Sequence, residues 1–256
     1  MKTASRCRFD CNGEFVLNYF WTHQYDLPPG TGYPHFGIVH CFSVAAVILL
    51  VIIGLSLIRE SFVKCLPVLL LIMECSKDYY LFSIGRFDEG YLPLHLCSLG
   101  IPVFIMSVFG NRTRAFFREI AVVLILPGAV AAILFPDWNM YPVINFMNLY
   151  SWLWHGILVL FPLLLIKFGM VWPSIRNLWM PIVFLCLAVP PIYLFDKKAE
   201  CNYLFINWPP AGTPLEIAAC YMGVPGYLAG YALLVIVVIM SVYALFGLTR
   251  MIFRKP

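Results

Sequence analysis

Along this chain, apolar residues neither alternate with polar ones nor form narrow helical stripes; they come in long continuous runs separated by short polar stretches. A helix that crosses about 30 Å of hydrocarbon needs roughly 20 mostly apolar residues. Seven runs meet that length: Phe36–Ile58, Phe62–Ile84, Tyr91–Phe109, Phe117–Phe135, Asn145–Ile166, Leu178–Phe195 and Val224–Leu248. The pattern predicts an all-α membrane protein with seven transmembrane helices in one bundle. A β-barrel would show short alternating segments instead. The sixth run holds Pro181, Pro190 and Pro191 and is expected to kink. Phe15–Trp21 is too short to span and has no cleavage site, so the reading there is an interfacial segment and no signal peptide.

Composition removes the soluble alternatives. Of 256 residues, 62% are hydrophobic and only 12% charged, against about 25% charged in an ordinary soluble domain. Such a chain cannot cover a water-facing surface, which excludes a cytosolic enzyme, and the same numbers exclude disorder. The net charge of +4 is spread along the chain and points to no nucleic-acid partner. The expected partners are membrane lipids and an acyl-chain substrate.

The loop charges set an orientation. The face that carries the N-terminus, side A, holds Lys2, Arg6, Arg8, Arg86, Lys197 and Lys198. Side B holds Arg59, Lys64, Arg112, Arg114, Arg118, Lys167, Arg176, Arg250, Arg254 and Lys255. Lys and Arg accumulate on the cytoplasmic side of membrane proteins, which puts the N-terminus outside the plasma or inner membrane and the C-terminus in the cytoplasm. The expected organisation is an extracytoplasmic segment over residues 1–35, the bundle over 36–250 and a short tail over 251–256. The longest connection, Asp196–Gly223, lies on side A and reads as loop at Asn207-Trp208-Pro209-Pro210-Ala211-Gly212. Cys7, Cys11, Cys201 and Cys220 share side A, where disulfides can form. Cys41, Cys65, Cys75 and Cys186 read as small packing residues.

Ionisable groups inside a bilayer are costly unless they face a cavity or a partner, so each is a functional candidate. They are His40, Glu74, Lys77, Asp78, His95 and His155, with Cys97 as a nucleophile candidate. From the helical rise, His40 sits about one turn below side A and Cys97 roughly 9 Å in, while Glu74 and His155 are on the order of 15 Å in. Four helices therefore place polar groups in the same half of the membrane. For Lys77 and Asp78 snorkelling is the favoured explanation, and Glu74 with Lys77 at i,i+3 has the spacing of a self-neutralising pair. A nucleophile needs a base within hydrogen-bond reach, and the base needs an orienting group. Cys97 and His155 have compatible depths, with Glu74 or Asn202 to orient the imidazole. Such a set suits acyl transfer from, or hydrolysis of, a lipid ester. Metal or haem binding by His40, His95 and His155 has no supporting spacing, and no metal or cofactor is expected. The rival class is a non-catalytic binder or transporter of a small or lipidic ligand, in which the same groups act as ligands.

The strings Leu92-Pro93-Leu94-His95-Leu96-Cys97-Ser98-Leu99, Leu126-Pro127-Gly128-Ala129, Leu134-Phe135-Pro136-Asp137, Trp154-His155-Gly156 and Asn202-Tyr203-Leu204-Phe205 together resemble the YwaF-type family of multi-pass membrane proteins. Its eukaryotic relatives are membrane acyltransferases that build polyunsaturated ether phospholipids. The resemblance, from about His40 to the seventh run, implies that His155 is the catalytic histidine and that His95 corresponds to the histidine of a Pro-Cys-His-Leu string. In that string a cysteine nucleophile directly precedes the histidine; here the position is Leu94, and Cys97 lies about one turn further on. A related lipid-hydrolase family carries threonine at its nucleophile position, so the resemblance speaks more to fold and site than to reaction.

Overall fold

The computed structural model describes residues 19–253. Cys7 and Cys11 and most of Phe15–Trp21 lie outside the described residues, and Cys201 and Cys220 do not bond to each other. Among the described residues regular structure is entirely helical. Eight helices follow one another: α1 Ile38–Leu57, α2 Cys65–Ser83, α3 Leu96–Phe109, α4 Arg114–Leu134, α5 Phe146–Lys167, α6 Trp179–Ala199, α7 Pro214–Met222 and α8 Tyr227–Phe253.

Five segments are long and apolar enough to cross a membrane, namely α1, α4, α5, α8, and α6 with the turn before it. The two other expected spans differ for identifiable reasons. α2 has the length, 19 residues, but carries Glu74, Lys77 and Asp78. α3 has only 14 residues, about 21 Å of helix. It starts late because Pro93 cannot donate to a helix and holds Leu92 extended. The first helical residue is Leu96, with His95 as an extended N-cap at φ −66°, ψ 152°.

α5 is the axis of the bundle. Fourteen of its 22 residues are buried, whereas α6 buries three of 21; the outer helices keep their apolar side chains for lipid. Asn145 starts α5, its Oδ1 accepting from Met147 N at 2.9 Å. α1, α2, α3 and α4 all pack on α5. Phe104 of α3 stacks on Phe161 at 4.1 Å, and Gly54 of α1 accepts the Leu160 side chain directly against its backbone. In lipid, where no hydrophobic force drives helices together, such close approach supplies the packing contacts.

α4 contains a π-turn over Ala121–Ile125, in which the Leu126 amide bonds back five residues to Ala121. Pro127 follows at once; it has no N–H and its ring would meet the carbonyl four residues earlier. The wider turn absorbs that conflict, and all five π-turn residues are buried. α6, by contrast, runs helical through Pro190 and Pro191.

Ahead of α1, residues 19–37 form a strap across side A. The Phe146 amide donates to Phe20 O at 2.8 Å, and Asn145 Nδ2 donates to Tyr19 O and Thr22 O. Arg86 pairs with Asp26, and His23 Nε2 meets Tyr91 Oη at 2.5 Å. The strap is thus tied to α5 and to the α2–α3 loop.

A Cβ at Gly54 would lie 2.5 Å from Leu160 Cδ2. Gly54→Val is expected to cost about 1–3 kcal/mol through overpacking of the α1–α5 contact. Thermal unfolding in detergent reads the loss, and Gly247→Val, where a Cβ meets nothing, serves as the comparison with little change.

Candidate functional site

His155 lies nine residues into α5, about 14 Å from its first residue, and is 8% exposed. Its Nδ1 is 2.8 Å from Ser151 O, one turn back. A carbonyl only accepts, so Nδ1 carries the proton and Nε2 of the neutral ring is left as an acceptor. No hydrogen-bond partner meets Nε2 among the described residues. The imidazole is held in plane by Trp138, which stacks on it at 4.5 Å and 13°.

Trp138 reaches this depth because the loop between α4 and α5 folds inward over the end of the bundle. The strap holds it there: Tyr33 N donates to Asn139 O at 2.9 Å, Asn139 Nδ2 returns to Tyr33 O at 3.0 Å, and His35 Nε2 donates to Pro136 O at 2.9 Å. Below it, Trp152 Nε1 donates to Tyr33 Oη, which donates to Asn148 Oδ1 at 2.6 Å. Irregular backbone at membrane depth is tolerated where protein satisfies it.

The first half of the site comes from α2 and α3. Lys77 is 8% exposed and does not snorkel: its Nζ turns inward to Glu74 Oε1 at 2.9 Å, Asp78 Oδ1 at 3.1 Å and Tyr91 O at 3.2 Å. Tyr150 of α5 donates to Glu74 Oε2 at 3.0 Å, which joins α2 to the helix that carries His155. His95 packs against Tyr203 at 4.8 Å and Phe205 at 5.5 Å. Its imidazole lies within electrostatic reach of Lys77, Asp137 and His155. Cys97 lies within reach of Asp137 and Tyr231. Leu94, partly buried, packs against the cluster of Ile192, Tyr203 and Ile206.

Asp137, exposed on the inward loop and named in the sequence reading only within a family string, acts electrostatically on His155, His95 and Cys97, with no hydrogen bond or ion pair to any of them among the described residues. No hydrogen bond joins the Cys97 thiol to His155. His40 belongs to a different task. Its Nδ1 accepts from Phe36 N at 2.7 Å and its Nε2 donates to Ile133 O at 2.9 Å, so both nitrogens are used to fasten α1 to the end of α4. The bond also holds Phe36 at φ 58°, a region disfavoured for a bulky residue. Asn202 is likewise spent, accepting from Asn207 N and Trp208 N and donating to Trp208 O. Its neighbour Tyr203, not Asn202, faces the site. Glu74 orients Tyr150 and Lys77 rather than the imidazole of His155. Trp138, Tyr33 and Trp152 were also missed; their signal was the Asp137-Trp138-Asn139 triplet directly after a span, on the face where the polar groups converge.

The family model described as the TMEM164 family matches residues 30–243. No curated protein and no solved structure matches the chain.

The Lys77 contacts carry a stability expectation. Lys77→Met leaves the buried Glu74 carboxylate without its cation and should cost about 3–5 kcal/mol. Adding Glu74→Gln removes the stranded charge and should recover part of that loss. Unfolding of both variants in detergent checks the order; a double variant less stable than Lys77→Met would contradict it.

Proposed function

The chain belongs to the TMEM164 family, and we propose that it is a membrane-embedded enzyme that transfers or hydrolyses the acyl group of a phospholipid or fatty-acyl ester. The observation that supports this reading is the state of His155: Nδ1–H fixed on Ser151 O, Nε2 open, in a wall of aromatic rings. That is the preparation a general base needs. The resemblance to the YwaF-type family, whose eukaryotic relatives are membrane acyltransferases, adds the substrate class, an ester of a long acyl chain presented by lipid.

In this reading His155 Nε2 takes the proton from the attacking group as that group bonds to the acyl carbon. The ester C–O bond then breaks, and His155 returns the proton to the departing oxygen. Cys97 is the proposed first nucleophile, forming a thioester that water or a lysophospholipid hydroxyl resolves. The missing Cys97–His155 hydrogen bond is compatible with this, since catalytic contacts often close only around substrate.

We propose further that α2 and α3 complete a seven-helix bundle with the N-terminus outside, residues 36–250 forming the bundle and the site opening to the outer leaflet. α2 enters lipid with its three charges held together through Lys77; α3 enters as a short helix below the Leu92–His95 turn.

The activity test is acyl exchange between a phospholipid donor and an ether lysophospholipid in membranes that hold the protein. His155→Ala is expected to lower turnover at least about 100-fold while the protein still folds. Cys97→Ala should do likewise; normal turnover in that variant would eliminate the thioester and leave direct attack by the acceptor hydroxyl. Full activity of His155→Ala would overturn the enzymatic reading. Orientation is read separately, by labelling single cysteines placed at Lys2 and at the C-terminus with a membrane-impermeant reagent. Labelling of the Lys2 position from outside is expected; labelling from the cytoplasm alone would reverse the topology.

A further inference from the structure

The polar groups around His155 form a nearly closed account. Trp152 Nε1–H is given to Tyr33, Tyr33 to Asn148, Asn148 Nδ2 to Val143 O, and both His40 nitrogens to backbone. Two groups in this cluster are left without a partner among the described residues. One is the acceptor His155 Nε2. The other is the donor Trp138 Nε1, which is buried and unbonded on a residue only 6% exposed. The two belong to rings stacked at 4.5 Å. Buried donors are nearly always satisfied in folded proteins, so an open one beside an open acceptor marks a place for a ligand with both functions. The other buried unbonded hydroxyls lie elsewhere: Tyr141 faces Tyr91 and Gln24, and Tyr243 faces Glu119.

An ester under attack has that complementarity. The attacking S–H or O–H needs an acceptor, and the carbonyl oxygen, as it gains the electron pair of the C=O π bond, needs a donor. We propose that Trp138 Nε1–H is the donor that holds this oxygen, making Trp138 a catalytic residue of the acyl-transfer reaction; the assignment rests on that reading of the site. The attacking atom bonds to the acyl carbon and its proton passes to His155 Nε2. Charge collects on the carbonyl oxygen under the Trp138 N–H, which donates without giving up its proton. When the oxygen's electron pair re-forms the C=O bond, the ester C–O bond breaks and the leaving oxygen takes the proton from His155.

Trp138 serves this step twice. Its edge offers the donor to the negative oxygen, while its face lies on the imidazole as that ring becomes cationic, an attractive placement for a cation. The loop fits the role because it is fixed in advance: Asn139 and Pro136, on either side, are bonded to Tyr33 and His35 of the strap. A donor held in place by its surroundings costs no reorganisation when charge develops.

The test is Trp138→Phe, which keeps an aromatic ring on His155 and removes only the N–H. Expected is a fall in kcat of about 100-fold or more with KM changed little, with unfolding behaviour close to that of the parent. Trp138→His, which restores a ring N–H, should regain part of the lost turnover. Normal kcat in Trp138→Phe, with His155→Ala inactive, overturns the donor assignment and leaves the acyl-transfer reading in place. Activity retained in His155→Ala overturns both. A second measurement uses the unsubstituted protein with 15N-labelled tryptophan and a trifluoromethyl ketone analogue of the ester. The Trp138 indole N–H resonance should move downfield when the analogue binds, and an unmoved resonance in a saturated complex overturns the proposal.

Discussion

Hydrocarbon offers no hydrogen bonds, so a polar group that this bundle buries is costly unless it finds a partner within the chain. That constraint explains features that would otherwise look unrelated. Lys77 folds inward to three oxygens, His40 spends both nitrogens on backbone, and Glu119, 2% exposed, caps the Ile175–Asn177 turn by accepting from Ser174 N. It also explains the strap. Residues 19–37 run over side A because the loop between α4 and α5 exposes backbone that no helix can satisfy, and Tyr33, His35 and Asn139 close those bonds.

The spans were legible wherever length and apolarity coincide. α1, α4, α5, α6 and α8 fall within a few residues of the expected runs, because continuous apolarity of that length leaves few alternatives. The runs around α2 and α3 do not meet length and apolarity together. In α2 the apolar average hides three charges; the i,i+3 spacing announces the Glu74–Lys77 pair, and the structure adds Asp78 and the Tyr91 carbonyl to it. In α3 the apolar run extends back to Tyr91, but Pro93 stops the helix, and apolarity alone does not distinguish helix from extended chain.

The site was half legible. An ionisable residue deep in an apolar run is visible by itself, which is why His155, His95 and Glu74 stood out. Whether its hydrogen bonds are already spent is not visible, since that depends on carbonyls distant in sequence. His40 and Asn202 illustrate this: their partners, Ile133 and Phe36 in one case and Asn207 and Trp208 in the other, consume the polar atoms that made them candidates. Trp138 was hidden for the opposite reason. It sits in a loop, and a loop that folds inward has no periodic signature.

The brevity of α3 has a geometric consequence for any lipid that approaches the bundle. A helix of about 21 Å, set along the normal of a slab about 30 Å thick, leaves about 9 Å that its own backbone does not fill. In the proposed seven-helix arrangement Leu92–His95, a tight turn in which the Leu94 amide donates back to Leu92 O at 2.8 Å, fills that gap, and the amide-rich beginning of α3, the positive end of its dipole, lies beneath the level of the headgroups. A neighbouring phospholipid carries its ester linkages at this same level, between phosphate and acyl chains. In the function proposed above, lateral diffusion within one leaflet is then enough to bring a glycerol ester to the beginning of α3, with no need to lift the lipid into water or pull its headgroup into the slab.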